Sequence, residues 1–254
     1  PGGEEFSSLE EAKKYYAIAM DKAIVIKPKS TNYGIGITIF KQTPERSDYE
    51  EALTFAFKED ESILVEEYIA GTEYRFFVLD GRVEAVLLRE PANVTGDGEH
   101  TVKELIDMKN THPYRGENHR APLAKIKRGE IEAMMLKEQG YTFDSIIAPG
   151  EKVYLRENSN ISTGGDSIDV TDAMHESYKV IAEEIARTLD VKVTGLDLIV
   201  PDISKPSTDQ NKGYTVIEAN FNPAMNMHAF VQKGKGRRLS RKVLDMLYPN
   251  IELS

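Results

Sequence analysis

The stretch YTVIEANFNPAMNMH, residues 214–228, decides how the end of this chain folds and which chemistry it carries. Its first half alternates apolar and polar residues, as in a strand buried on one face, and the strand ends before Pro223. Glu218 and Asn220 stand two positions apart, so both side chains point to the same side of the strand. A carboxylate next to an amide on a half-buried strand needs a partner, and a hard cation is one such partner.

A second predicted strand supplies a further oxygen ligand. VTGLDLIV, residues 193–200, precedes the first stretch across the polar loop 201–213. If the two strands pair antiparallel, Asp197 lies near Glu218, and with Asn220 three oxygen donors converge, which suits Mg²⁺. An ordinary polar strand edge is the alternative, but the apolar residues that flank Asp197 and Glu218 favour burial of the opposite face.

Composition limits the classes of function. The chain has 254 residues and a net charge of −10, which argues against a nucleic-acid-binding surface but not against a small phosphate ligand. It has no cysteine, so disulfides and thiolate metal sites are excluded. No apolar run is long enough to span a membrane, and the acidic start is unlike a secretory signal. A cytoplasmic enzyme that binds neither nucleic acid nor membrane fits these features, although the lack of cysteine would also suit a periplasmic one.

The remaining patterns predict an α+β fold in which antiparallel hairpins outweigh β-α-β units. Asp80–Gly81 predicts a tight hairpin turn, and Thr101 with Glu104 predicts a helix capping box. Ser47 and Thr171 are expected to begin two more helices. Strands are expected at 22–28, 36–40, 62–69, 152–157, 193–200 and 214–219, and further helices at 6–20, around 130–139 and near 236–247.

The stretch VIKPKSTNYGIGI carries features of a phosphate site. Lys27 ends a strand that Pro28 keeps extended, and Gly34 and Gly36 follow in a polar loop. Backbone N–H groups of such a loop can fold over phosphates. The loop is neither a Walker A nor a Rossmann motif, and a glycine-containing hairpin loop is the commoner explanation.

The stretch LVEEYIAGTEYR, residues 64–75, runs from a strand into a short linker. Backbone groups of an exposed strand edge can bind an adenine, and the carboxylate of Glu73 can accept hydrogen bonds from ribose. An edge strand with solubilising charges is the alternative, and this stretch alone favours it.

Cationic and amide groups also precede a glycine turn in YLRENSNISTGGDSIDVTD, residues 154–172. Arg156 and Asn160 could orient a carboxylate and neutralise charge that develops during group transfer, and Arg89 is a similar candidate. An ordinary loop and a surface cation are the alternatives. The five histidines show no zinc spacing, no G-x-S-x-G motif occurs, and His228 is expected to be a packed or capping imidazole.

The order of these features resembles the ATP-grasp ligases over nearly the whole chain. More narrowly, LLREPANVTGDGEHTVKELI, NISTGGDSIDVTD and EANFNPAMNMH with KGKGRR resemble the glutathione synthetase module of bacterial bifunctional glutathione synthases; cyanophycin synthetases share much of this pattern. The resemblance implies two α+β subdomains whose antiparallel sheets grip ATP between them. Residues 1–72 would form the first, incomplete at its amino end, with the phosphate loop and adenine hinge. Residues 73–254 would form the second, with the metal and acyl-substrate site.

The resemblance also implies roles for single residues. Lys27 and the loop around Gly34 and Gly36 would hold the ATP phosphates, and Glu73 the ribose. Arg156 and Asn160 would lie near the acyl group, but Arg156 precedes Asn160 by four residues where the related R-x-N-x-x-x-G-G motifs have two. The adenine would be lined by Glu66, Glu67, Tyr68 and Ile69, and two Mg²⁺ (or Mn²⁺) ions would be held by Asp197, Glu218 and Asn220.

The implied activity is ATP-dependent ligation. The carboxylate of γ-glutamylcysteine attacks the γ-phosphate, and glycine then displaces phosphate from the acyl phosphate to give glutathione, the second step of its biosynthesis. The chain begins in the middle of the family pattern, so we expect the carboxy-terminal part of a longer protein, fused to an amino-terminal γ-glutamylcysteine ligase module. A homodimer is compatible with the resemblance.

Two other functions stay open. One is a cyanophycin-type or other ATP-grasp peptide ligase, which would use the same ATP machinery. The other is a non-catalytic nucleotide-binding module, which the set Asp197, Glu218 and Asn220 disfavours. The polar segment 110–125 is long enough to be a lid over the site.

Overall fold

The structure, a computed structural model, describes residues 2–19, 21–31, 35–117, 121–208 and 213–249. The chain divides into two compact units, Pro1–Gly71 and Thr72–Ser254, each with hydrophobic clusters of its own. Both combine helices with largely antiparallel sheets, which confirms the α+β prediction. In the described ranges, no helix is both long and apolar enough to cross a membrane.

The first unit is a four-stranded antiparallel sheet in the order β1-β4-β2-β3, with helices packed on one face. In β2, Ile24 and Ile26 are buried against the helices, while Lys27 belongs to the opposite face. The helix α3 buries the predicted apolar stripe that starts at Tyr49. The elements are β1 (Gly3–Phe6), α1 (Leu9–Lys14), α2 (Tyr16–Ala19), β2 (Ile24–Pro28), β3 (Thr38–Phe40), α3 (Arg46–Glu59) and β4 (Ile63–Glu67).

The first unit differs from the prediction in two places. The helix expected over 6–20 is present as α1 and α2, but the strand β1 that precedes it and pairs with β4 was not predicted. Gly3 permits this pairing, because any Cβ at this position would collide with the backbone oxygen of Val65. The helix α3 begins at Arg46 with an extended Glu45 as its N-cap, so Ser47 lies inside the first turn.

The second unit is built on a five-stranded antiparallel sheet in the order β11-β6-β5-β12-β13. The helix α6 covers one face, where Phe76, Leu196 and Tyr178 belong to the main core. The elements are β5 (Thr72–Leu79), β6 (Arg82–Glu90), β7 (Asn93–Thr95), α4 (Val102–Asn110), β8 (Arg115–Gly116), β9 (Leu123–Ala124), α5 (Glu130–Glu138), β10 (Lys152–Tyr154), a 3₁₀ turn (Ile161–Thr163), β11 (Asp166–Asp169), α6 (Glu176–Thr188), β12 (Val193–Val200), β13 (Thr215–Asn220), α7 (Asn226–Ala229) and α8 (Leu239–Leu247).

Local sequence signals are confirmed at two positions of this unit and wrong at one. Asp80 and Gly81 both have positive φ, 48° and 74°, as a two-residue hairpin turn between β5 and β6 requires. The capping box of α4 is present, with the Thr101 N–H donating to Glu104 at 2.8 Å. Thr171 does not begin α6: its hydroxyl accepts the N–H of Val86 at 2.8 Å, and His175 is the N-cap.

Candidate active site

The two predicted strands pair as expected. In the antiparallel ladder of β12 and β13, Asp197 lies opposite Glu218 and Gly195 lies opposite Asn220. Asp197 is 2% exposed, whereas the Glu218 side chain is 53% exposed and can be reached from solvent. The Asn220 amide donates to Glu218 at 2.7 Å. One buried carboxylate, one exposed carboxylate and one amide therefore meet at the edge strand of the sheet.

Two arginines neutralise these carboxylates. Arg75 lies directly opposite Asp197 on β5 and donates to both of its oxygens, with Nη2–Oδ2 at 2.6 Å, and it lies 3.4 Å from Glu218. Arg89 on β6 donates to Asp197 at 3.0 Å and also to Glu73. Burial raises the pKa of Glu73, Arg89 opposes this shift, and the nearby Asp197 adds to it. Three carboxylates and two guanidinium groups leave the cluster with one negative charge.

The donor set fits a hard divalent cation. Asp197, Glu218 and Asn220 offer carboxylate and amide oxygens, the donors that Mg²⁺ and Mn²⁺ prefer. Within the described ranges, no three His, Cys, Asp or Glu side chains form a metal-ligating group, and here the third donor is an amide. A cation at this position would share Asp197 with Arg75.

The loop after β13 folds back over the same face of the sheet. Gly195 makes room for it, because a Cβ there would lie 2.9 Å from Pro223 and 3.2 Å from Arg75. His228 is completely buried with its ring against Phe77, and neither ring nitrogen has a hydrogen-bond partner among the described residues. Burial, aided by the charge of Arg75, lowers the pKa of His228 to about 3. The imidazole is therefore neutral, as a packed side chain should be.

The glycine turn of the second unit lies beside Arg89. A Cβ on Gly165 would meet the carbonyl oxygens of Asn160 at 2.8 Å and Glu90 at 2.9 Å, so the turn packs on the end of β6. The Asn160 carbonyl accepts hydrogen bonds from Gly165 N–H and from the Thr163 hydroxyl. The turn that carries Asn160 therefore lies against Glu90, the residue that follows Arg89 in β6.

Arg156 points elsewhere. Its guanidinium lies 2.7 Å (Nε) and 2.6 Å (Nη2) from one oxygen of Glu132, which is 1% exposed. The other oxygen of Glu132 accepts the N–H of Gly129 at the start of α5. These contacts give Arg156 a structural ion pair with α5, and not with the carboxylate cluster.

In the first unit, the predicted nucleotide residues pair with one another. Lys27 lies 2.6 Å from Glu66 on the neighbouring strand, and Lys22 pairs with Glu67. Gly36 has φ +78°, and a Cβ there would lie 2.6 Å from Pro28, so this position requires glycine. Gly34 lies outside the described residues.

The strand β4 is not an edge strand, so the exposed edge expected there is wrong. It lies between β1 and β2. Glu67 N–H donates to Gly2 at 2.8 Å, and Tyr68 N–H donates to Ala23 at 2.9 Å. Beyond this point, no hydrogen bond within the described part of the chain uses the backbone of Ile69. The N–H groups at the end of β4 are therefore used within the first unit.

Comparisons with known proteins show which proteins the chain resembles. No protein-family model matches the chain. The glutathione biosynthesis bifunctional protein of Enterococcus faecalis is 57% identical over 251 residues, and that of Pasteurella multocida is 56% identical over 253 residues; each match covers 99% of this chain and 33% of the relative. The crystal structure of a bifunctional glutathione synthetase from Pasteurella multocida superposes with a TM-score of 0.75 at 56% identity, covering 99% of this chain and 34% of that one. Over nearly its whole length, the chain is therefore similar to one third of the bifunctional glutathione biosynthesis proteins.

The chain spans about a third of the length of these relatives. The chain shares its α+β fold with the corresponding third of that bifunctional glutathione synthetase.

The sequence alone does not identify two buried cations, Arg75 and Arg115. A signal for Arg75 exists: it interrupts the apolar run of β5 two positions after Glu73, on the face that carries no core residue of α6. Arg115 lies in a polar segment and gives no such signal.

Proposed function

We propose that the chain is an ATP-dependent carboxylate–amine ligase that forms glutathione from γ-glutamylcysteine and glycine. The observation that carries the proposal is the meeting of Asp197, Glu218 and Asn220 beside Arg75 and Arg89. It is supported by 57% identity to a protein of glutathione biosynthesis. Because the chain spans a third of its relatives, fusion to a γ-glutamylcysteine ligase module and a cytoplasmic location also belong to the proposal.

The first unit would hold the nucleotide. Lys27 is the cation for the phosphates, with its Glu66 partner as the counter-ion in the absence of nucleotide. The loop around Gly36 would cover the phosphates with backbone N–H groups. Residues 66–69 would line the adenine, and the carboxylate of Glu73 would accept from the ribose.

The carboxylate cluster of the second unit would hold two Mg²⁺ or Mn²⁺ ions through Asp197, Glu218 and Asn220. When bound, these ions neutralise charge on the triphosphate. Arg75 holds the Asp197 carboxylate in place through two hydrogen bonds. Arg89, paired with Glu73 and Asp197, holds a positive charge next to the turn that carries Asn160.

The chain's own residues position the reactants and offset charge. A carboxylate oxygen of γ-glutamylcysteine attacks the γ-phosphorus, and the bond to the ADP oxygen breaks. The glycine nitrogen then attacks the acyl carbon, phosphate leaves, and the amide forms. Lys27 and Arg89 offset negative charge during transfer, and the turn at Asn160 orients the acyl group. We place Arg156 outside this chemistry, because its charge is paired with Glu132 of α5.

The test is ADP release by the purified chain with Mg²⁺-ATP and γ-glutamylcysteine, with and without glycine, and product identification by mass. We expect glycine-dependent ADP release and a product with the mass of glutathione. Glu218→Ala should lower turnover by about 100-fold or more, the effect of removing one charge-stabilising group. Glu176→Ala on the exposed first turn of α6 is the matched control and should not change turnover. A chain that binds ATP but makes no glutathione, even within the full-length protein, contradicts the proposal.

A further inference from the structure

Arg115 lies in the polar segment 110–125, yet its guanidinium is completely buried. It makes five hydrogen bonds, as many as it has N–H groups. Nε donates to Gln232 at 3.2 Å, and Nη1 donates to Ala124 at 2.6 Å. The other three bonds go to Gly164, Gly165 and Asp166.

These last three acceptors are consecutive residues at the end of the glycine turn. Nη1 lies 2.9 Å from the Gly164 carbonyl, and Nη2 lies 3.4 Å from the Gly165 carbonyl. Gly164 has φ +98°, a conformation that glycine adopts without strain. Two adjacent glycines leave a turn many backbone conformations, and a planar guanidinium on both carbonyls selects one of them. Arg115 thus fixes the peptide planes of the turn that carries Asn160.

A second cation completes the cluster. Lys109 on α4 donates to Asp166 at 2.6 Å and to the Asn93 carbonyl at 2.8 Å. Burial lowers the pKa of Lys109, and Asp166 opposes this shift. Lys109 and Arg115 carry two positive charges and Asp166 carries one negative charge, so this cluster has a net positive charge next to the turn. A net positive charge there favours binding of an anionic group at the turn.

The segment 110–125 is anchored at both ends. The Asn110 side chain donates to the Ile126 carbonyl at 2.9 Å and accepts the Ile126 N–H at 2.8 Å. Leu123 is fully buried and pairs with Arg115 across β8 and β9. These contacts hold the described ends of the segment, 110–117 and 121–125, on the body of the unit.

We propose that Arg115 is a positioning residue for the acyl substrate: it clamps the turn at Asn160–Gly165 in the form that receives the substrate carboxylate. The assignment rests on the proposed ligase function. Arg115 acts through the turn and does not touch the reactants. The described residues 110–117 and 121–125 accordingly form a support of the substrate site.

The test separates the substrate from the nucleotide. Arg115→Lys keeps the charge but loses the fork, so KM for γ-glutamylcysteine should rise about tenfold or more, as expected for a misplaced substrate group. The affinity for a non-hydrolysable ATP analogue should not change. Leu136→Ala, a fully buried truncation on α5 that does not touch the turn, is the control for lost stability and should leave both constants unchanged. An unchanged KM, or an equal loss of both affinities, overturns the proposal.

Hydrogen exchange gives a readout that needs no activity. In Arg115→Lys, the amides of Gly164, Gly165 and Asp166 should exchange faster, while those of Leu196 and Leu198 on β12 should not. Gln232→Leu, which removes one acceptor of Arg115 outside the turn, serves if Arg115→Lys does not fold, and should give a smaller change at the same amides. Unchanged exchange at the turn overturns the clamp. If the unchanged chain makes no glutathione, the proposed function fails while the clamp is still decided by exchange.

Discussion

Replacing Arg75 by methionine tests the charge balance of the carboxylate cluster. The Arg75 side chain is 8% exposed and Asp197 is 2% exposed, so the pair is shielded from water. Removing one partner of a buried ion pair costs about 3–5 kcal/mol, because the other charge stays buried without compensation. Arg89 keeps a 3.0 Å bond to Asp197, which places the expected loss near the lower end, about 3 kcal/mol.

Urea unfolding measures this loss. The chain has no tryptophan, so far-ultraviolet circular dichroism is the suitable signal. With a urea m-value of about 2 kcal/mol/M, the midpoint of the second unit should fall by about 1.5 M. Arg241→Met, which breaks an exposed pair with Asp245, is the matched control and should cost no more than about 1 kcal/mol.

A double variant decides whether the buried charge is the cause. Arg75→Met with Asp197→Leu removes both charges and should recover most of the stability lost by Arg75→Met alone. A loss below about 1 kcal/mol in Arg75→Met, or a double variant less stable than the single one, would refute the reasoning.

Three further results are expected. Because the pKa of His228 is lowered to about 3, the unfolded chain binds a proton below pH 6.5 that the folded chain does not bind. Protonation of this histidine should therefore lower the free energy of unfolding by about 2 kcal/mol from pH 7 to pH 5. His228→Phe should remove this part of the pH dependence, as measured by urea unfolding. Gly164→Ala should lower Tm more than Gly150→Ala does. Both glycines have positive φ, but only a Cβ at position 164 would contact other atoms, at 3.0 Å. Equal decreases in Tm would contradict this prediction. Lys27→Met should weaken binding of an ATP analogue by about tenfold, as measured by calorimetry, because one charge-assisted contact is lost. Lys22→Met changes a similar but more exposed ion pair and should leave the affinity for the analogue unchanged.

Turn residues and the alternation of apolar and polar residues in the strands made much of the fold predictable. The placement of Asp197 near Glu218 was predictable from antiparallel pairing, whereas the shift in register between Asp197 and Leu198 was not. The Asp80–Gly81 turn follows from its own backbone preferences. The strand β1 was missed because its polar residues form an amphipathic helical pattern, and only the contact of Gly3 with β4 reveals the pairing.

The charged contacts of the site were less predictable, for a different reason. Arg75 meets Asp197 across 122 positions, and this requires knowing that β5 and β12 are neighbours in the sheet. Arg156 is the type of residue expected to contact the substrate, but its guanidinium forms an ion pair with the buried Glu132. Nothing in a polar segment indicates that Arg115 is buried, because three of its five acceptors are backbone carbonyls, which every residue has.

The sheet order of the second unit has a consequence for synthesis on the ribosome. The first unit is contiguous, so its strands can pair as soon as residue 71 has emerged. The strand β5 lies between β6 and β12, and the second partner arrives only when residue 200 has been made. At roughly 5–20 residues per second, the β5–β6 hairpin waits roughly 5–22 s with one side unpaired. A pause in translation before β12 would lengthen this interval, and chaperone binding to the nascent chain should be strongest within it.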